Sequence, residues 1–264
     1  MTRAEPARAA HPWFAGEHPR VLAHRGLVPD PGGEDIVENS FSAVAAAHAA
    51  GAEYVESDCH LTRDGVVVLF HDDDLSRVTG DPRRVSDVTA RELSVLMAPR
   101  GGLITLEQAL EAFPTVRFNL DVKADDAADA VGAGVAAHPD RVLLTSFSDV
   151  RRLAALEAVQ RAGADRPATS AGTATIQRLV AAVAMRSERV AARVLRDVDA
   201  VQVPERKGRI RVVTPRMIHY AHAAGVEVHV WTVNDADDMR RLLSMGVDGI
   251  VTDRADVALE LVAH

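Results

Sequence analysis

Cysteine is nearly absent: Cys59 stands alone in 264 residues. An intrachain disulfide is therefore excluded, and the chain fits a reducing compartment. Long apolar runs are missing too, since no window reaches the length of a membrane span and the N-terminal stretch MTRAEPARAAHPWFAGEHPR has no apolar core of signal-peptide length. Cytoplasmic residence without stable membrane insertion is the expectation. Positive charge is scarce, with 30 Lys and Arg against 38 Asp and Glu, a net charge of −8 and a pI near 5.8. That balance argues against nucleic acid, or an anionic membrane surface, as the main partner. Oligomeric state is left open.

What is present is a core and a rhythm. With 47% hydrophobic residues, a chain of this length can bury one large core as a single domain. Short apolar runs at 21–23, 53–58, 116–120, 142–145, around 168, at 200–203, 226–231 and 249–251 alternate with helical stretches, including one long helix predicted from 175 to about 195. Eight strands each followed by a helix can close into a parallel barrel, the (β/α)8 TIM barrel of the α/β class. An open doubly wound sheet is the rival, but no strand-like run leads into a G-x-G-x-x-G loop. The barrel is preferred, as one domain over 21–264, with residues 1–20 a flexible tail and a small insertion after the second strand at about 60–102.

The stretch 53–74, EYVESDCHLTRDGVVVLFHDDD, organises the rest. Side chains at i and i+2 of a strand share a face, so Glu56 and Asp58 can both reach one hard cation. Asp64-Gly65 is a hairpin signal, and the returning run 66–70 brings His71 back toward those carboxylates. Two carboxylates on a polar strand face are common, but these gather at the C-terminal end of a buried strand, where parallel α/β folds hold their chemistry.

In a barrel the residues following each strand share one rim. They are His24 and Arg25, Glu56 and Asp58, Asp121 and Lys123, Ser146, Ser170, Gln202, Trp231 and Asn234, and Thr252 with Asp253. In FNLDVK, Asp121 and Lys123 share a face, and a third carboxylate is what a divalent site needs; the plainer reading is a salt-bridged pair at a strand end. His24 alone reads as structural and Trp231 alone as a core aromatic. The run 72–74 reads as a solvated turn, and His219, His222 and His229 as structural or surface residues; His60 stays a minor candidate beside the metal pair.

His24-Arg25-Gly26, Glu38-Asn39, Glu56-x-Asp58, Thr62-Arg63-Asp64-Gly65 leading to His71-Asp72, FNLDVK at 118–123, Trp231-Thr232-Val233-Asn234 and GVDGIVTD at 246–253 together resemble the glycerophosphodiester phosphodiesterase family. The seven motifs follow the family's order from residue 21 onward. The resemblance implies a barrel with an inserted subdomain and a metal-dependent hydrolysis of glycerophosphodiesters, a small-molecule substrate, to glycerol 3-phosphate and an alcohol. It implies Glu56, Asp58 and Asp121 as ligands of one divalent cation, Ca²⁺ or Mg²⁺, His24 and His71 as the acid/base pair, and Arg25 and Lys123 as phosphate contacts. Glu38 resembles a polar residue of the same site, and Trp231 the aromatic beside the glycerol moiety.

Those roles suit the chemistry. A phosphodiester anion repels nucleophiles, so hydrolysis needs positive charge at the non-bridging oxygens and a proton for the leaving alkoxide. A guanidinium suits bidentate phosphate contact, and imidazole titrates near neutrality. Which histidine is acid and which base stays open, as does the choice of water or the glycerol 2-hydroxyl as first nucleophile. Three departures stand out: Asp121 where the family usually has Glu, a longer loop after His24, and Val37 where a proline often precedes Glu-Asn. The stretch 74–102 lacks large apolar patches, which favours small head groups; lysophospholipase D-type hydrolysis of lysophospholipids is the alternative, and a catalytically silent anion-binding barrel the contrast from another class.

Overall fold

A computed structural model describes residues 11–29 and 36–263. Residues 1–10 of the expected tail and most of the long loop after His24, 30–35, lie outside the described residues. Eight parallel strands form the wall: β1 (Arg20–His24), β2 (Tyr54–Leu61), β3 (Arg117–Val122), β4 (Val142–Thr145), β5 (Ala168–Thr169), β6 (Ala200–Pro204), β7 (Glu227–Trp231) and β8 (Gly249–Thr252). Their order is β5-β4-β3-β2-β1-β8-β7-β6, and a parallel bridge from Ser170 to Ala200 joins the two ends of that row. The chain is a TIM barrel. The open-sheet rival is excluded by that bridge together with the helices that alternate with the strands.

Alternation along each strand sorts the core into two layers. Val21, Ala23, Val55, Phe118, Leu120, Val201 and Val228 pack outward beneath the helices, while Leu22, Tyr54, Leu143, Ala168, Ala200 and Val251 fill the interior around Trp13. Trp13 corrects the reading of residues 11–20 as tail. It is wholly buried, its indole N–H donates to the Phe118 carbonyl at 3.1 Å, and its ring stands edge-on to Tyr54 at 4.8 Å. Arg20 closes the same floor by donating to Glu227 through two nitrogens at 2.8 Å each. A tryptophan in a Pro- and Ala-rich stretch carries no periodicity, so sequence patterning missed it.

Two element boundaries also differ from expectation. The second strand runs past residue 58 to Leu61 and pairs antiparallel with a short return strand, Val67–Leu69. The helix expected at 175–195 is two, Thr173–Ala184 and Glu188–Leu195. Arg186 adopts φ 55° at the break, and the Ser187 hydroxyl accepts from Val190 N to cap the second helix.

The segment after β2 has its own small core of Val68, Phe70, Leu75, Val85, Val88, Leu93 and Met97. A reciprocal cap between Thr89 and Glu92 starts its main helix, Ala90–Met97. This packing fixes the return strand against β2, and the Phe70 N–H donates to the Asp58 carbonyl at 2.9 Å. His71 is thereby delivered to the barrel rim. Among the described residues no helix is long and apolar enough to cross a membrane.

Candidate active site

Strand register decides which side chains meet. His24 lies beside Glu56, Glu56 beside Asn119, and Asp58 beside Asp121. Glu56 and Asp58 share the inward face with Tyr54, and all three carboxylates are buried. The Lys123 ammonium lies between two of them, 2.8 Å from Asp58 Oδ1 and 2.7 Å from Asp121 Oδ2. Burial works against the Asp58 anion, yet Lys123, Arg25 and a hydrogen bond from Asn39 hold its carboxyl below the usual range. Glu56 is pushed up to about 8 by burial and the Asp58 charge, which outweigh the opposing pull of His24 and Lys123.

The backbone turns sharply to bring Arg25 to this cluster. Arg25 and Asn39 both adopt left-handed φ, 57° and 54°, uncommon for residues with a Cβ. The Asn39 N–H donates to the Arg25 carbonyl at 2.8 Å and the Arg25 N–H to that of Glu56 at 2.8 Å, which locks the two turns together. Gly26 between them has φ 88° and lies so close to the first helix, Phe41–Ala49, that a Cβ would come within 2.6 Å of the Ala43 carbonyl carbon. Only glycine fits. Arg25 then donates to Glu38 at 2.8 Å and stands 3.2 Å from Asp58.

Each predicted catalytic histidine is held by a carboxylate. His24 Nδ1 is 2.6 Å from Asp253 Oδ1, and Asn234 donates to the other Asp253 oxygen at 2.7 Å. His24 Nε2 faces Glu56 Oε2 at 3.9 Å. Burial opposes the imidazolium, but Asp253 and Glu56 together raise the His24 pKa above its ordinary value. His71 Nδ1 is 2.6 Å from Asp72 Oδ1. Asp72 is therefore not the solvated residue that its Asp-rich run implied, whereas Asp73 in the same run is well exposed.

Arg77, from the inserted segment, was invisible to motif reading. Its Nε donates to Asp72 and its Nη2 to Glu38, each at 2.6 Å. A continuous polar chain results: His71, Asp72, Arg77, Glu38, Arg25, Asp58, Lys123, Asp121. His71 is thereby joined to the carboxylate cluster, which His24 faces from the other side through Glu56 at 3.9 Å. His60 is tied to the His71 carbonyl at 3.2 Å, a supporting role. Trp231 stands at the mouth edge-on to Phe147, ring centroids 5.7 Å apart, and Lys123 Nζ lies 5.5 Å from the Phe147 ring centre. Phe147, absent from the sequence-based candidates, was hidden because a lone aromatic in a loop carries no pattern.

Buried polar atoms without hydrogen-bond partners concentrate here. Arg25 Nε, Glu56 Oε2, Asp121 Oδ1 and Asn119 Oδ1 are four of the five such atoms among the described residues. Polar atoms that make no hydrogen bond within the protein gather here, where a ligand or water would satisfy them. No group of three or more His, Cys, Asp or Glu side chains among the described residues is arranged to hold a metal ion; Lys123 supplies the positive charge between Asp58 and Asp121.

A TIM barrel whose C-terminal rim joins buried carboxylates, an arginine, a lysine and two carboxylate-held imidazoles has the equipment to hydrolyse phosphate esters. The profile of the glycerophosphoryl diester phosphodiesterase family matches residues 24–257, and the chain belongs to that family, an enzyme of the phosphoric diester hydrolase class. A probable glycerophosphodiester phosphodiesterase 2 from Mycobacterium tuberculosis is 39% identical over 241 residues, 90% of this chain and 88% of that protein. The crystal structure of a Thermotoga maritima glycerophosphodiester phosphodiesterase is similar at TM-score 0.70 and 25% identity, covering 94% of this chain and 100% of that one. An Oleispira antarctica phosphodiesterase in complex with the product sn-glycerol-3-phosphate shares the fold at TM-score 0.70 and 21% identity, covering 94% and 98%.

Proposed function

We propose that the protein hydrolyses glycerophosphodiesters to glycerol 3-phosphate and an alcohol, with His24 and His71 as its acid/base pair. The observation carrying this reading is the matched tethering of the two imidazoles. When Nδ1–H donates to Asp253 or Asp72, each 2.6 Å away, the ring is fixed and Nε2 is the nitrogen left to exchange a proton. One imidazole removes a proton from the attacking oxygen as it bonds to phosphorus, whether that oxygen is water's or the glycerol 2-hydroxyl's; in the second case water then opens the cyclic phosphate to give the same product. The other protonates the alkoxide as its bond to phosphorus breaks, so the pair ends with its protons exchanged and charge balanced.

Arg25 and Lys123 bind the non-bridging oxygens. Arg25 Nε makes no hydrogen bond, although it stands 3.2 Å from Asp58, and Glu38 holds the guanidinium in place. Trp231 offers an apolar wall to the glycerol moiety. Glu56, Asp58 and Asp121 would hold one hard divalent cation, Ca²⁺ or Mg²⁺, once the Lys123 ammonium that lies between Asp58 and Asp121 moves aside; what supports them is that their donors are all oxygens, and that Glu56 and Asp121 each keep a buried oxygen without a hydrogen-bond partner. When bound, such an ion supplies positive charge against the phosphate and polarises its oxygens.

The lysophospholipase D alternative is not favoured, because the relative matched along 90% of the chain is described as a glycerophosphodiester phosphodiesterase. Cytoplasmic residence belongs to the same proposal and is supported by the lone, buried Cys59.

The test is release of glycerol 3-phosphate from glycerophosphocholine or glycerophosphoethanolamine, before and after chelation. Turnover that EDTA abolishes and Ca²⁺ or Mg²⁺ restores is expected. Full turnover in EDTA overturns the metal assignment, and no turnover with either ion overturns the substrate.

A further inference from the structure

Just beyond β6 the chain makes a ribbon, Arg206–Lys207 paired antiparallel with Ile210–Arg211. Its sequence, RKGRIR, puts four cations into six residues of a chain whose net charge is −8, and all six are exposed. Among the described residues none of the four is in an ion pair. The acidic residue at the root does not neutralise them: Glu205 accepts from Arg241 at 3.0 and 2.8 Å. Its carbonyl also accepts from the Val212 and Val213 N–H groups at 2.9 and 3.2 Å. The base is pinned and the tip projects.

The position of the ribbon is as informative as its charge. Pro204, at its root, lies beside Trp231 in the strand register, so the ribbon rises next to the mouth of the candidate site. Ile210, flanked by Arg209 and Arg211, is 60% exposed. Phe147, at the mouth beside Trp231, is 57% exposed, and the helix that follows it, Asp149–Arg161, leaves Val150 and Leu153 79% and 47% exposed. One rim thus carries unpaired cations and bare aliphatic and aromatic side chains together.

We infer that the ribbon 206–211 docks the barrel mouth onto an anionic phospholipid surface. Cations close to such a surface are attracted by its negative potential, and an aliphatic side chain between them can enter the headgroup layer. Overall net charge does not oppose this, because screening confines the effect to about 8–10 Å. A nucleic acid would use the cations but leave Ile210 and Val150 without a role. A glycerophosphodiester is a phospholipid stripped of its acyl chains, so a deacylation reaction at a bilayer must supply it; that link rests on the proposed function, whereas the docking does not.

Co-sedimentation of the full chain with phosphatidylglycerol and phosphatidylcholine vesicles tests the inference. Binding to the anionic vesicles at low salt, release by added salt and no binding to the neutral ones are expected. Each cation contributes about fivefold to the partition coefficient, so the Arg206→Ser/Lys207→Ser/Arg209→Ser/Arg211→Ser variant should lose well over tenfold, and Ile210→Ser should lose severalfold alone. Turnover of a soluble substrate without vesicles should be unchanged in both. The inference is overturned if the wild type ignores anionic vesicles at low salt, or if the four-fold variant binds them as well as the wild type. It is overturned equally if Ile210→Ser has no effect while duplex DNA displaces the protein, which would mark a polyanion site.

Discussion

Asp253 lies 2.6 Å from His24 Nδ1 and is itself anchored by Asn234 at 2.7 Å. The imidazole is thus oriented by a residue at the end of β8, on the far side of β1 from Glu56. Asp253→Asn keeps the size but removes the charge that selects the Nδ1–H tautomer. We expect kcat to fall by about 10- to 100-fold with little change in KM; steady-state kinetics that find kcat unaltered would remove Asp253 from the machinery.

Arg77 plays the corresponding part on the other flank. It is half exposed, so its ion pairs add little to stability, yet it fixes Asp72 and Glu38 at once. Arg77→Ala should lower kcat about tenfold while leaving the melting temperature within about 2 °C, with Arg77→Lys partly restoring activity. A large stability loss without a kinetic effect would contradict the positioning role.

Lys123 neutralises two buried carboxylates, and its own pKa is driven upward: burial opposes the charge, but Asp58 and Asp121 outweigh it. Lys123→Met strips Asp121 of its cation and leaves Asp58 to Arg25 and Asn39, a loss on the order of 3 kcal/mol. If the three carboxylates take a divalent cation, millimolar Ca²⁺ or Mg²⁺ should raise the melting temperature of this variant more than that of the wild type. Equal or absent shifts on calorimetry would count against a cation there.

At the barrel floor, burial works against the Glu227 anion, yet hydrogen bonds from Arg20 and His229 hold its pKa down to about 2. A carboxyl depressed on folding stabilises the protein fully above its unfolded value, near 4.5, and that stability drains as pH falls from there toward 2. Chemical denaturation across that window should show the wild type losing stability more steeply than Glu227→Gln. Parallel curves would refute the assignment.

Trp13 supplies a direct check on where the fold begins. Trp13→Ala should cost about 3–5 kcal/mol, the usual loss for a large buried aromatic, whereas Ala replacement of exposed Glu17 should cost under about 0.5 kcal/mol. Urea melts that place the two variants together would return residues 11–19 to a tail.

The barrel and the identity of the rim residues were legible because both follow from period and order: apolar runs set the strands, and polar residues collected at one end of them. Partnerships were not legible. Asp253 stood among the rim residues, but its contact with His24 spans 229 positions and depends on strand register across the β8–β1 junction. Asp72 looked like one of three equivalent acids until Arg77, placed by the packing of the inserted segment, singled it out. Trp13 and Phe147 are isolated aromatics whose placement arises from tertiary contact alone. The break at Arg186 was missed because helix formers continue on both sides and only the Ser187 cap marks it.

The narrowest stave of the barrel is β5, two residues long, and its link to β6 rests on a few contacts. Thr169 N donates to the Asp199 carboxylate at 2.9 Å, Asp199 N to the Thr169 carbonyl at 2.8 Å, and Ala171 N to the Ala200 carbonyl at 3.0 Å. One of the three is made by a side chain, so the wall is stitched there partly by an acid rather than woven by backbone. Among the strands, amide protons along this seam should exchange before those of the β1–β3 wall, and a fluctuation that parts it would loosen Ser170 and Gln202 inside the barrel while the wall bearing Glu56, Asp58 and Asp121 stays zipped. The cylinder can breathe along one line without letting go of its carboxylates.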